Sequence, residues 1–361
     1  MRTRALSLLL CATLCAACST PAATTTDGDA DLAEKPQPLE GETKDDATEP
    51  AEPEGPMKWV WTDYEVVGHR SVTREQILED LPFTLGEEAQ RGLETNTAIN
   101  AWCAARKEAL GLYAIDCGLL RFGDGKTYVT VNVLEEEDAR KLTTRAKPTA
   151  ELTIPAELDA TYARLYAIQE GHFDSGNYKV LAEEVTRPDG ADPYLTYPKE
   201  PEMAKLAAEL AAAAPAHRDA LRDATARAAD PAVRARAATL LNWAGDTTKS
   251  VEVAHLLLDD PSGLVRNNLS RFMLHYIPDV DDPELQGSLA RVLAVQATRP
   301  SHPDRNKALY GLLYIAQSSE PARALVMKEA GDTIRRLAEQ SRLPNVGEVA
   351  EQILALEEGA E

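Results

Sequence analysis

The sequence predicts a multidomain protein: a small α+β unit of β-α-α-β-β order, then an all-α solenoid, both set behind a disordered tether. Three observations predict it. Val129, Val131 and Val133 alternate with polar residues, the period of a strand with one apolar face. An Asp-Pro start followed by arginine occurs at Asp230 and again at Asp260, within an alanine- and leucine-rich stretch. Residues 18–56 are Thr, Pro, Ala, Gly and acids, with Leu32 and Leu39 as their large aliphatics, which is too little apolar surface to offset the entropy of ordering. The implied division is 1–17, 18–56, 57–136, 137–201 and 202–361.

At 361 residues and 44% hydrophobic content the chain can bury a sizeable core, enough for two or three units of about 100–200 residues each. A formal net charge of -21 excludes nucleic acid as a partner, because phosphate backbones are held by clustered Lys and Arg and no basic stripe is present.

Residues 1–17 read as a signal peptide. Arg2 and Arg4 give a positive start, residues 5–17 form an apolar run, and small residues close it. The run is shorter than the roughly 20 residues a spanning helix needs. Leu14-Cys15-Ala16-Ala17-Cys18 resembles the lipobox of bacterial lipoproteins, with Cys15 where that motif usually carries an aliphatic. The resemblance implies that Cys18 is diacylated and becomes the mature N-terminus, anchoring the chain to a membrane by lipid. Ser19 after the cysteine implies the outer membrane, facing the periplasm. Cleavage near Ala17 without lipidation and a retained anchor are the alternatives. Behind Cys18, acids from Asp27 to Glu54 against Lys35 and Lys44 predict an extended linker by self-repulsion. Asp27-Gly28-Asp29-Ala30-Asp31 begins like a calcium loop, but Leu32 stands where the turn glycine belongs and Pro38 where the closing Glu belongs, so it is not one.

In the α+β unit, residues 58–67 have strand composition and residues 73–81 predict a short helix capped by Ser71 or Thr73. Residues 99–110 predict a longer helix with Ile99, Trp102, Cys103, Leu110 and the stem of Arg106 on one stripe, stopped by Gly111. Strands at 114–122 and 127–134 flank Gly123-Asp124-Gly125-Lys126, a hairpin turn by composition. Besides the lipidated Cys18, Cys103 and Cys117 are the cysteines left after processing, and in an oxidising compartment they form a disulfide candidate; two buried thiols are the alternative.

This unit resembles the polypeptide-transport-associated (POTRA) domain. The resemblance rests on Val66-Val67-Gly68-His69-Arg70-Ser71-Val72, Leu85-Gly86-Glu87, Ala109-Leu110-Gly111-Leu112-Tyr113 and the valine strand closed by Leu134-Glu135. It implies a three-stranded sheet covered by two helices, found outside the cytoplasm and binding partner chains without catalytic residues. It also implies that strand 114–122 is a sheet edge, open to strand addition by a partner, with Ile115, Leu120 and Phe122 as candidate binding residues.

Residues 155–170 predict a helix, and 171–201 an irregular segment with Phe173, Tyr178, Tyr194 and Tyr197 that either caps the first repeat or forms a binding lip. Beyond it, Asp230-Pro231-Ala232-Val233-Arg234 and Asp260-Pro261-Ser262-Gly263-Leu264-Val265-Arg266 each open a helix with Asp as cap and Pro in the first turn. Looser starts follow at His302-Pro303-Asp304-Arg305 and Leu343-Pro344-Asn345-Val346. The pattern resembles HEAT repeats. Predicted helix pairs are 216–229 with 231–243, 250–258 with 261–276, 283–296 with 302–317, and 321–340 with 344–356. Such pairs bury their apolar faces only by stacking. The resemblance implies that Arg234 and Arg266 bond acids or helix ends of neighbouring repeats, with Asp230 and Asp260 as natural partners; an arginine ladder for an acidic ligand is the alternative.

Chemistry is sparse. There is no H-E-x-x-H, paired C-x-x-C or G-x-S-x-G. His69, His172, His217, His255, His275 and His302 lack metal-ligand spacing, and His275 beside Tyr276 reads as a packing residue. Gly125-Lys126-Thr127 imitates a phosphate loop, but Leu120 occupies its first glycine position. Glu252 has no evident partner for acid–base work. The expectation is a non-enzymatic, membrane-tethered adaptor or scaffold binding other envelope proteins, with no cofactor and no metal, in outer-membrane biogenesis or secretion. The competing readings are an enzyme or ligand-binding protein with its site on the repeats, and a structural envelope spacer.

Overall fold

The computed structural model describes residues 59–358, apart from 90–92, 123–124, 141, 143, 175–179, 181–197, 246–250 and 252–253. Cys18, the tether, Tyr178, Tyr194, Tyr197 and Glu252 therefore lie outside the described residues. The described protein is mostly helical, with one small mixed sheet.

The sheet is built from β1 (Val60–Val67), β2 (Ala114–Arg121) and β3 (Lys126–Leu134) in the order β1-β3-β2, with β1 parallel and β2 antiparallel to β3. Between β1 and β2 run α1 (Arg74–Leu78) and α2 (Leu93–Leu110). Thr73 starts α1 through a capping box with Gln76. Gly111, at φ 63, ends α2 as the glycine stop requires. The side chains of Ile99, Trp102 and Cys103 are buried under α2 against Cys117, Leu119, Val129, Val131 and Val133. Arg106 is buried too, donating to Gln76 C=O at 2.5 Å and to the Glu79 carboxylate at 2.6 Å.

The sheet's other face is covered as well. Every residue of β3 after Lys126 is buried, which a sheet with one wet face would not give. Val67, Leu120, Phe122 and Tyr128 belong to the same apolar cluster as the helical region.

After α3 (Glu136–Ala139), the chain crosses the helical region before α4 (Ala156–Asp174). The crossing is stitched down: Arg145 N–H donates to Asp259 C=O at 3.0 Å, and Ala150 exchanges bonds of 3.1 and 2.7 Å with Arg227 and Ala229. There follow α5 (Pro201–Ala213), α6 (Arg218–Arg227), α7 (Pro231–Leu240), α8 (Gly263–Leu274), α9 (Pro283–Ala297), α10 (His302–Ser318), α11 (Glu320–Gln340) and α12 (Val349–Glu358).

Helices α7, α8, α10 and α12 pack in sequence as one layer, and α9 packs on α10 and α11 beside it. Asp230 caps α7 and Asp282 caps α9, each accepting a bond of 2.8 Å from the residue two ahead. Asp260 departs from the expected cap. Here α8 begins only at Gly263, with Ser262 at the cap position, although the Asp260 carboxylate still accepts the Ser262 N–H at 2.9 Å beside its arginine bonds.

Candidate functional site

The most developed polar arrangement is a chain of buried arginines along the layer α7, α8 and α10, continuing into the sheet. Arg234 on α7 bonds back to Ala228 C=O, six residues earlier, at 2.7 Å and forward to both Asp260 oxygens at 2.9 and 3.0 Å. Arg266 on α8 repeats the geometry, bonding back to Asp260 C=O at 2.8 Å and forward to Asp304 at 2.7 Å. Arg305 on α10 bonds back to Arg299 C=O at 3.2 Å, again six residues earlier. Its forward partner is not another repeat but Asn132 Oδ1 on β3, at 2.8 Å. The sheet thus supplies to Arg305 an acceptor in the place where Asp260 and Asp304 serve Arg234 and Arg266.

Each rung is a charged group withdrawn from water, which is tolerable only when its donors and acceptors are met. Asp260 is the most heavily bonded, taking Arg234, Arg145 and the Ser262 N–H. Burial alone would raise its pKa, but the bonds from Arg234 and Arg145 outweigh that and hold it below the usual carboxylate range. Of the two expected partners, Asp260 serves Arg234, while Asp230 remains a helix cap.

Around Arg305 the sheet contributes further ionisable groups. Glu65 on β1, 1% exposed, accepts from the Ser341 hydroxyl at 2.7 Å and the Arg342 N–H at 2.6 Å. Burial raises its pKa against those bonds. Asp116 on β2 is pushed up by burial to about 6, with Arg305 pulling the other way. Burial lowers Arg305 itself to about 10. At the end of α11, the Gln340 side chain accepts from Gly68 N–H at 3.0 Å and donates to His69 C=O at 3.1 Å. Asp138 on α3 holds Arg70 at 2.9 Å and Arg336 of α11 at 3.6 Å.

The residues singled out from the sequence fall as follows. Cys103 and Cys117 are disulfide-bonded, with Cα atoms 6.1 Å apart, joining α2 to β2. β2 lies at a sheet edge, with Ile115 half-buried. Leu120 and Phe122 require a correction: expected to offer side chains to a partner, they are 2% and 8% exposed and lie in the core shared with the helices. The cause is the covered second face of the sheet, which the alternating side chains of β2 meet.

Among the histidines, His217 bonds Glu157 at 2.6 Å and burial drops His275 to about 4. Among the described residues, His255 comes near a nucleophile–base pair: its Nδ1 lies 3.2 Å from Val251 C=O and its Nε2 3.0 Å from the Ser288 hydroxyl. With Nδ1–H donated to the carbonyl, Nε2 accepts from Ser288, tying the turn before α8 to α9. Among the described residues no group of three or more His, Cys, Asp or Glu could hold a metal ion. No described helix is long and apolar enough to cross a membrane.

Glu65, Asn132, Arg305 and Gln340 escaped the sequence reading. Their signal was present in part: Asn132 interrupts the valines on the polar face of β3, and Arg305 follows a looser repeat start. In comparisons with known proteins, the chain matches no protein-family model and no curated protein sequence.

Proposed function

We propose that the chain is an exported, lipid-anchored adaptor of the cell envelope that binds other envelope proteins through the edge of its sheet. The observation that carries this reading is the strand order β1-β3-β2, which leaves β2 without a strand on its outer side among the described residues. The other edge is different: residues 86–89 bond to β1 and its approach, through Gly86 to Trp61 at 2.8 Å and Ala89 to Trp59 at 2.7 Å. An unpaired edge offers backbone donors and acceptors to an incoming strand. Tyr113, 59% exposed, stands directly before β2 as an aromatic contact of the kind enriched at protein interfaces.

The leader, Cys18 and the acidic stretch 18–56 support a tethered setting, with the lipid in the outer membrane and the folded part in the periplasm. In this reading the helical array is the scaffold that holds the sheet, and the POTRA-like and HEAT-like resemblances describe its two parts.

The test is a photo-crosslinking residue at position 113 of the full chain in the native host, followed by mass spectrometry. One envelope protein should be captured, in membrane fractions, and Cys18→Ala should release the chain from those fractions. Failure of position 113 to capture any protein while the chain stays membrane-bound would remove the edge-binding reading and leave the anchor.

A further inference from the structure

The seam between sheet and helical array carries an uneven set of charges. Asp116 from β2 pairs across the ladder with Asn132, which accepts from Arg305 at 2.8 Å, and Glu65 from β1 stands two residues before Val67, the other ladder partner of Asn132, so both carboxyls share a sheet face with one enclosed guanidinium, that of Arg305. Neither is bonded to it. Glu65 accepts from the neutral donors Ser341 Oγ–H and Arg342 N–H. Arg305 gives its own N–H groups to the neutral oxygens of Asn132 and Arg299. The neighbouring charges are already committed, Asp304 to Arg266 and Arg336 to Asp138, which also holds Arg70. Two carboxylates beside one cation whose N–H groups go to neutral oxygens cost free energy when both are ionised. Asp116 is the one at the rim, partly exposed, where a proton can come and go without the seam opening.

We propose that closing the sheet onto the helical array takes up a proton at Asp116, making the seam a pH-responsive clamp that is tighter in mild acid than at neutral pH. Asp116 reaches about 6 through burial, with Arg305 opposing and Asp304 reinforcing the rise. Glu65 is raised in the same direction, again by burial. A carboxyl whose folded pKa lies above its unfolded value adds most stability below the unfolded value, and loses it as pH rises through the folded one. With 3.8 as the ordinary value, the contribution of Asp116 to the folded-to-unfolded ratio falls about tenfold between pH 5 and pH 7. The clamp stands whether or not the adaptor reading does.

Total stability will not report this cleanly, because His275, held at about 4 by burial, favours the folded state as pH rises. The comparison of wild type with Asp116→Asn cancels that contribution, since asparagine imitates the protonated acid at every pH. In urea unfolding of the full chain, the wild-type ratio relative to the variant should fall about tenfold from pH 5 to pH 7. Carbon-detected titration of the wild-type carboxyls, with Asp116 assigned by its absence from the variant, should place that group near 6. Arg305→Lys, which keeps a shorter-reaching charge, should move it upward. A wild-type to variant ratio that does not change with pH, or titration of Asp116 at or below its ordinary value, overturns the proposal; so does an unmoved Asp116 in Arg305→Lys, which would show that Arg305 is not the shared cation.

Discussion

Arg305 donates from Nη1 to Asn132 Oδ1 at 2.8 Å, joining the third rung of an arginine chain to the central strand of a sheet 173 residues away. Arg234 and Arg266 find their forward acceptors on the next helical unit, as Asp260 and Asp304. By meeting Arg305 with Asn132, the sheet takes for the third arginine the part that Asp260 and Asp304 take for the first two, and so is joined to the array.

Arg305→Ala should therefore destabilise both halves together. It leaves the buried Asn132 Oδ1 without the Arg305 donor, a class of change that costs about 1–3 kcal/mol. With Trp243 of the array replaced by Phe, the remaining tryptophans Trp59, Trp61 and Trp102 report on the sheet side, and helical circular dichroism reports mainly on the array. The two signals should move in one coincident urea transition, in that background and in its Arg305→Ala variant alike. Separate transitions would show that the seam does not couple the halves.

Asp260→Asn should be the costliest of the ladder changes. The carboxylate serves Arg234 and Arg145 at once, and Arg234 is 1% exposed, so neutralising it strands buried charge at a cost of about 3–5 kcal/mol. Its pKa is lowered in the folded state, so its contribution is present above the ordinary carboxylate value of 3.8 and is lost as pH falls through the lowered one. The gap between wild type and Asp260→Asn should be constant from pH 5 to pH 7 and shrink below pH 4. Chemical denaturation at each pH measures it.

Gly68→Ala tests the turn that leaves β1. Gly68 has φ +87, and an added Cβ would sit 2.2 Å from Val133 C=O, a backbone atom that cannot step aside. The Gly68 N–H is also the donor to Gln340. A loss of about 1–3 kcal/mol is expected from the backbone strain alone, and more if the bond to Gln340 breaks. Gln340→Ala, which spares the turn, should cost less; thermal unfolding of the two variants separates strain from the lost bond.

Reduction of Cys103–Cys117 should weaken the attachment of α2 to β2. A sequence separation of 14 gives a loop whose cross-link contributes about 3 kcal/mol. Alkylation without reductant, read by mass spectrometry on protein made in an oxidising compartment, should find both thiols blocked, and added reductant should lower the unfolding midpoint. Free thiols before reduction would contradict the bond.

What the sequence made legible follows from periodicity and caps. The valines of β3, the stripe of α2 with its Gly111 stop, and the helix starts at Pro231, Pro283 and His302 each announce themselves locally, because turn and cap chemistry acts over a few residues. The seam does not. Thr130 and Asn132 alternate with valines as a solvent-facing row would, yet they are buried by helices about 170 residues away. A polar residue in a strand carries no mark of whether water or an arginine will meet it. The same blindness placed Leu120 and Phe122 on a free surface, although their apolar character was the one sign that both faces of the sheet are covered.

The last expectation concerns the outer edge of β2. Phe122 N–H donates to Lys126 C=O at 2.9 Å, and β2 pairs in register with β3 as Leu120 with Tyr128, Gly118 with Thr130 and Asp116 with Asn132. In an antiparallel ladder the intervening residues direct their backbone groups away from the partner, so Ile115, Cys117, Leu119 and Arg121 carry the outward donors. Proline at Leu120 would break the inner ladder and disturb a core side chain, whereas proline at Ile115 removes an outward N–H. Ile115→Ala is the control, since it loses more side-chain packing but keeps the donor. If strand addition holds the partner, crosslinking from position 113 should be lost in Ile115→Pro and kept in Ile115→Ala, with both variants folded by circular dichroism. Equal capture by the two variants would move the binding surface away from β2, onto the helical array.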